Sequence, residues 1–165
     1  MTSFQRRKDV GDAHEQRVAR ELDIRGWAVD EWGQGVLSPT VSAALRSTDS
    51  FLRWTPDLIA AQGRHLFMID CKSRMTSSTT DRHAVETAAV KAHLQLAAWT
   101  GLPVCYVFDN LDVLTPLDIL TTGRTGPQTV RGSGSPYHLV PARHALAFDT
   151  VFGRAPGDAQ QLPAA

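Results

Sequence analysis

Two apolar runs joined by a tight polar turn constrain this chain more than any other feature: Thr55-Pro-Asp-Leu-Ile-Ala-Ala-Gln-Gly-Arg-His-Leu-Phe-Met-Ile-Asp-Cys-Lys72. The turn at Gln62-Gly-Arg-His65 makes the stretch a β-hairpin. Asp57 opens the first run, and Asp70 and Lys72 close the second. Side chains alternate along a strand, so Asp70 and Lys72 share one face and Cys71 points to the other. An acid and a lysine at the end of an otherwise apolar strand (Leu66-Phe-Met-Ile69) are costly to bury unless something pairs with them. A divalent metal held by Asp57 and Asp70, with Lys72 beside an attacked phosphate, would satisfy all three.

Around this hairpin the pattern alternates helix and strand. Val10 to Arg25 is helical, with Gly11, Val18, Ala19 and Leu22 on one stripe and Gly26 as its stop, while residues 1–9 look loose. Trp27 to Trp32 alternates like a strand, and Ser38 to Leu52 reads as short helical turns starting at Ser38-Pro39. Ser73 to Arg82 is a polar loop; Ala84 to Thr100 is a helix with Val85, Ala88, Ala89, Ala92, Leu96 and Trp99 on one face. Pro103 to Phe108 is a buried strand, Asp112 to Leu120 an edge strand and Gly123 to Pro136 a loop. Some structure returns at Tyr137 to Phe152, and 153–165 reads as a disordered tail. The expectation is one domain over residues 1–152, its core at about 10–120.

Glu15 lies on the helical wheel among Gly11, Val18, Ala19 and Leu22, so its carboxylate faces inward with the apolar stripe. Inward carboxylates are usually paired or metal-bound, the alternative being a boundary glutamate paired with an arginine. Glu21 lies about 100° from Leu22, toward the polar edge and free to pair with Arg17 or Arg25.

Pro56-Asp57 followed by Asp70-Cys71-Lys72 resembles the signature of the PD-(D/E)XK nuclease superfamily, whose fold is restriction-endonuclease-like. With Lys8, Lys72 and Lys91 as its three lysines among 17 basic residues, the chain seldom places a lysine in such a slot by chance. The order helix, strand, hairpin, helix, strand over about residues 10–108 matches that family's α-β-β-β-α-β core, an α/β fold with a mixed sheet flanked by helices. Gly11-Asp-Ala-His-Glu15, with Leu22, Gly26 and Val29, resembles the first helix of archaeal-type Holliday junction resolvases. His93-Leu-Gln-Leu-Ala-Ala-Trp99 is similar to the QxxxY motif of RecB-like nucleases, with Trp99 replacing tyrosine.

The resemblance implies a metal-dependent DNA nuclease. Glu15, Asp57, Asp70 and the Cys71 carbonyl would hold Mg²⁺ or Mn²⁺, Lys72 would position or deprotonate the attacking water and stabilise the transition state, and Gln95 would reach the cleft. Two other readings are a junction-resolving endonuclease acting as a homodimer, and a non-catalytic DNA-binding or interaction module on the same fold.

Other signals exclude more than they add. His14-Glu-Gln-Arg-Val18 lacks the second histidine of HExxH, and the glycines of 123–134 lack the GK[ST] of a P-loop. His65, His83, His138 and His144 show no ligand spacing, though Arg82 or His83 beside the polar loop could contact substrate. Cys71 and Cys105 sit in apolar runs without CxxC spacing, which fits a reducing interior. No apolar stretch approaches the ~20 residues of a membrane span, and the polar start Met1–Lys8 has no signal-peptide core, so the expected location is intracellular. Net charge is zero, which counts mildly against a binder of nucleic acid that relies on overall charge, although a local arginine face suited to phosphate can coexist with acids in a neutral chain; the other source of the arginine excess is a GC-rich coding sequence.

Overall fold

The first helix, α1 (Ser3–Ile24), stops where the glycine requires it. Gly26 has φ +80°; its N–H bonds the Asp23 carbonyl, and the Trp27 N–H reaches back to the Leu22 carbonyl. That pair of bonds is a Schellman cap, which needs a left-handed residue at its turn. A computed structural model describes residues 3–126 and 136–157, with side chains from Ala13 onward. The helix begins seven residues before Val10, so the stretch expected to be loose is helical from Ser3.

After α1 come β1 (Ala28–Glu31), α2 (Pro39–Arg46), β2 (Leu58–Gln62) and β3 (His65–Lys72), then β4 (Thr76–Ser77) and β5 (Arg82–Glu86). The chain continues through α3 (Thr87–Thr100), β6 (Val104–Phe108), β7 (Asp112–Leu114), α4 (Pro116–Thr122) and β8 (Arg124–Thr125). Past the undescribed residues lie β9 (Tyr137–Pro141), β10 (Leu146–Ala147) and α5 (Phe148–Phe152). The main sheet has the order β1-β2-β3-β6-β7-β10. Of its pairings only β3 with β6 is parallel, so the sheet is mixed, as expected. The hairpin turns at Gly63-Arg64 between the paired Gln62 and His65.

Strand β6 is buried along its whole length because helices cover both faces of the sheet. Cys105 and Val107 face α1, packing with Val18 and Leu22, while Tyr106 and Phe108 face α3, packing with Ala89 and Val90. Since Asp70 lies opposite Tyr106 in the ladder, Asp70 and Lys72 belong to the α3 face, and Cys71 packs on the α1 side. Apolar burial of this kind contributes about 25 cal/mol per Å², and it fixes the register that aims the two charges.

Three expectations give way. Residues 76–77 and 82–86 are strands of a second, antiparallel sheet of order β4-β5-β9-β8, and the helix starts only at Thr87. In Arg82-His-Ala-Val-Glu86 the buried residues are His83 and Val85, a period of two, and pairing with β9 decides the conformation. The buried face of α3 is Ala89, Val90, Ala92 and His93, rotated from the stripe read in the sequence, and Trp99 is 65% exposed. Strand β7 ends at Leu114 and is not an edge; β10 pairs outside it, and Thr115 begins α4 through a capping box with Asp118. Most of the expected loop (127–135) and the end of the expected tail (158–165) lie outside the described residues. Among the described residues no helix is long and apolar enough to cross a membrane.

Candidate functional site

Between β1 and β2 the chain makes an insertion, residues 33–54, that includes α2, capped by Ser38 with Pro39 in its first turn. Gly33 opens it at φ +71°; a Cβ there would lie 2.5 Å from the Pro56 carbonyl oxygen, so only glycine lets the insertion press against the residue before Asp57. The Trp32 N–H donates to the Asp57 carbonyl at 2.7 Å, and the Asp57 side chain crosses the hairpin, its Oδ2 accepting the Cys71 N–H at 2.7 Å. Asp57 is therefore tied by backbone N–H groups at both its carbonyl and its side chain.

Asp70 is 7% exposed, and its Oδ2 lies 2.5 Å from Lys72 Nζ. That oxygen accepts no hydrogen bond of regular geometry, so the contact is an ion pair rather than a well-aligned bond. Lys72 Nζ also stands 5.6 Å from the Tyr106 ring centre. His93, 1% exposed on α3, completes the group: its Nδ1 is 2.9 Å from Tyr106 Oη and 3.7 Å from Asp70 Oδ2, and its Nε2 bonds the Trp54 carbonyl. A carbonyl can only accept, so Nε2 carries the proton. Burial lowers the His93 pKa, the ring is neutral, and Nδ1 accepts the tyrosine hydroxyl. These side chains border a cleft of about 220 Å³ lined by Asp57, Asp70, Lys72 and His93 together with Gln34 and Arg53 of the insertion.

Burial, and then the charges of Asp70 and Glu15, raise the Asp57 pKa well above the carboxylate norm. Burial alone would raise Asp70 too, but the Lys72 ammonium outweighs it and the net shift is downward. For Lys72 burial pulls down while Asp70, then Asp57 and Glu86, pull up, and the ammonium is stabilised. Burial pushes the Cys105 thiol up to about 12 and Cys71 higher than its norm, so neither is a thiolate ligand and Cys71 can offer only its carbonyl.

The sequence-derived set divides as follows. Asp57, Asp70, Cys71 and Lys72 come together at the end of the hairpin. Glu15 is half-buried on α1 and acts by charge on both Asp57 and Cys71. Gln95 does not join them: it is exposed on α3 and does not line the cleft, and neighbouring Lys91 is exposed as well. His93, two positions earlier and so about 200° round the helix, occupies the place expected of Gln95. The signal lies in the same heptapeptide, but α3 is rotated so that His93 and not Gln95 faces the cleft. Glu86 was also missed; its Oε1 accepts from Tyr137 Oη at 3.0 Å while its Oε2 is buried without a hydrogen-bond partner. His83, read as a polar position near substrate, is fully buried between Thr76 and Asp112 and stacked 4.0 Å from Phe108.

Two aspartates, a backbone carbonyl and a nearby glutamate are hard oxygen donors, which suits Mg²⁺ or Mn²⁺ in kind. Among the described residues, no three His, Cys, Asp or Glu side chains are gathered closely enough to hold a metal ion as they stand. The oxygen donors nearest to hand for a cation are Asp57, Asp70 and the Cys71 carbonyl, with Glu15 acting on Asp57 by charge.

No family model matches the chain, and no curated protein matches it. Among solved structures it is similar to Hjc of Archaeoglobus fulgidus, a Holliday junction resolvase from an archaeal hyperthermophile, with TM-score 0.55 and 14% identity over 87% of this chain and 96% of that one. It is also similar to D212, a nuclease from a fusselovirus, with TM-score 0.48 and 14% identity over 82% and 86% of the two chains. The restriction-endonuclease-like fold is thus shared with Hjc across nearly its whole length.

Proposed function

We propose that this chain is a DNA nuclease of the restriction-endonuclease-like fold that hydrolyses phosphodiester bonds with Mg²⁺ or Mn²⁺. The observation that carries the reading is the grouping of Asp57, Asp70 and Lys72 in one cleft at the end of the hairpin, on a fold shared with Hjc. Asp57, Asp70 and the Cys71 carbonyl would hold the cation, with Glu15 on α1 as a further carboxylate near it. Such a cation activates water and neutralises charge on the scissile phosphate. Lys72, whose ammonium is stabilised by Asp70, acts as a cation: it pairs with a non-bridging phosphate oxygen and favours the pentacovalent transition state, and it is not the base. His93 fixes Tyr106 and the insertion backbone at Trp54, and so holds the cleft open beside Asp70. The likeness to Hjc makes four-way junctions the first branched substrate to try.

The test is cleavage of linear duplex, single-stranded, flapped and four-way DNA with Mg²⁺, with Mn²⁺, and with EDTA. Cleavage is expected only with metal, and calorimetry should show divalent binding that Asp70→Ala abolishes. Equal cutting in chelator would sink the metal mechanism; no cutting of any DNA with either ion would sink the nuclease reading.

A further inference from the structure

The chain has four tryptophans, and the fold treats one of them differently from the rest. Trp27 is 5% exposed in the core, between Phe67 and Phe152. Trp32 is 46% exposed directly beside Asp57, whose carbonyl its N–H binds. Trp54 lines the cleft, and Arg53 lies 5.9 Å over its ring. Trp99, 65% exposed at the end of α3, meets Phe51 edge-on at 4.9 Å, three residues from Trp54. The insertion adds two arginines, Arg46 and Arg53, against a single acid, Asp49. Arg53 and Trp54, the latter half-buried against the α3-side core, line the cleft; Trp32 adjoins it at Asp57, and the Phe51–Trp99 pair stands one helical turn from Trp54.

Such a margin has little to offer a regular duplex, which presents phosphates and keeps its bases stacked inside. An unpaired base exposes a π-face for the rings, and its flanking phosphates suit the arginines. We propose that Trp32, Phe51, Trp54 and Trp99, with Arg53, form a stacking surface for unpaired nucleobases, so that the substrate carries a single-stranded segment entering beside Asp57. The inference rests on the nuclease reading only in taking DNA as the ligand.

It is tested in EDTA, where no cleavage interferes. The anisotropy of a labelled oligothymidylate and of a duplex of equal length is followed with the full chain and with Trp32→Ala, Trp99→Ala and Trp99→Phe, at one fixed salt concentration. The single strand should bind more tightly than the duplex and quench tryptophan fluorescence. Each alanine variant should lose about five- to a hundredfold in affinity for the single strand, the range of one stacked base, with duplex binding unchanged, and Trp99→Phe should retain most of it. Both rings are substantially exposed, so the variants fold; melting curves verify this. Equal affinity for both forms, or alanine variants that bind as wild type does, would overturn the proposal. So would sedimentation showing a dimer that Trp99→Ala dissolves while oligothymidylate binding persists, because the surface would then belong to a second copy. Stacking without cleavage in metal would uphold this inference and sink the nuclease reading; cleavage without stacking would do the reverse.

Discussion

At the scale of single residues, the two glutamates of α1 have different fates. Glu21 Oε2 pairs with Arg25 at 2.7 Å, and Arg25 also reaches Asp149 Oδ1 at 2.6 Å, so Glu21 serves the attachment of α1 to α5. Glu15 acts by charge on Asp57 and Cys71 instead. Glu15→Gln keeps size and packing but removes that charge. It should lower metal-dependent cleavage by at least tenfold, with little change in the metal-free melting temperature. Glu21→Gln should cleave as wild type does and cost no more than about 0.5 kcal/mol, the scale of an i,i+4 pair. The reverse pattern in a cleavage assay would show that the site is assembled around the wrong glutamate. Lys72→Ala belongs to the same series: cleavage should be lost, while calorimetry shows divalent binding retained, since an ammonium is no ligand. A variant that cuts at the wild-type rate would displace Lys72 from the site.

Among the elements, what was legible follows from how local each signal is. The hairpin, the Gly26 cap, the Ser38-Pro39 start of α2 and the buried run of β6 each rest on residues within a few positions of one another, and each stands where the sequence places it. The second sheet was not legible because β5 finds its partner in β9, about fifty residues on, and β4 and β8 span two residues each. The rotation of α3 is not legible because alanines populate several of its faces, so a stripe through Trp99 fits the sequence as well as the buried one through His93. His83 joins the two sheets through Thr76 and Asp112, with both ring nitrogens engaged. Truncating it leaves a cavity and takes from Asp112 Oδ2 one of two partners, Asn110 Nδ2 remaining, so His83→Ala should cost about 2–4 kcal/mol. That corresponds to a melting temperature lower by about 5–15 °C for a chain of this length. DNA binding of the folded protein in the cold should be unchanged. Lost binding with an unmoved melting temperature would restore His83 to a substrate-contacting role.

For the whole molecule, a chain of zero net charge still concentrates acids at one point, and stability should register it. Asp57 is raised above its usual value of 3.8 by burial and by the neighbouring carboxylates. Between that value and the raised folded one, the folded state binds more protons than the unfolded state. This contribution to stability is therefore complete below about pH 3.8 and lost as pH rises through the folded pKa. Asp70 is shifted the other way by Lys72; its contribution is present above the unfolded value and lost only as pH falls below it. From mild acid upward Asp70 is constant and Asp57 is the group that changes. Asp57→Asn keeps an oxygen to accept the Cys71 N–H and removes the charge, so the metal-free variant should melt a few degrees above wild type at pH 8. The difference between the two proteins should shrink steadily toward pH 4, where Asp57 of the wild type is itself protonated. Mg²⁺ should raise the melting temperature of wild type, more at pH 8 than at pH 5 because the proton and the cation compete for Asp57, and should leave Asp57→Asn nearly unmoved. A difference independent of pH would refute the electrostatic argument. Equal stabilisation of both proteins by Mg²⁺ would remove Asp57 from the cation's ligands.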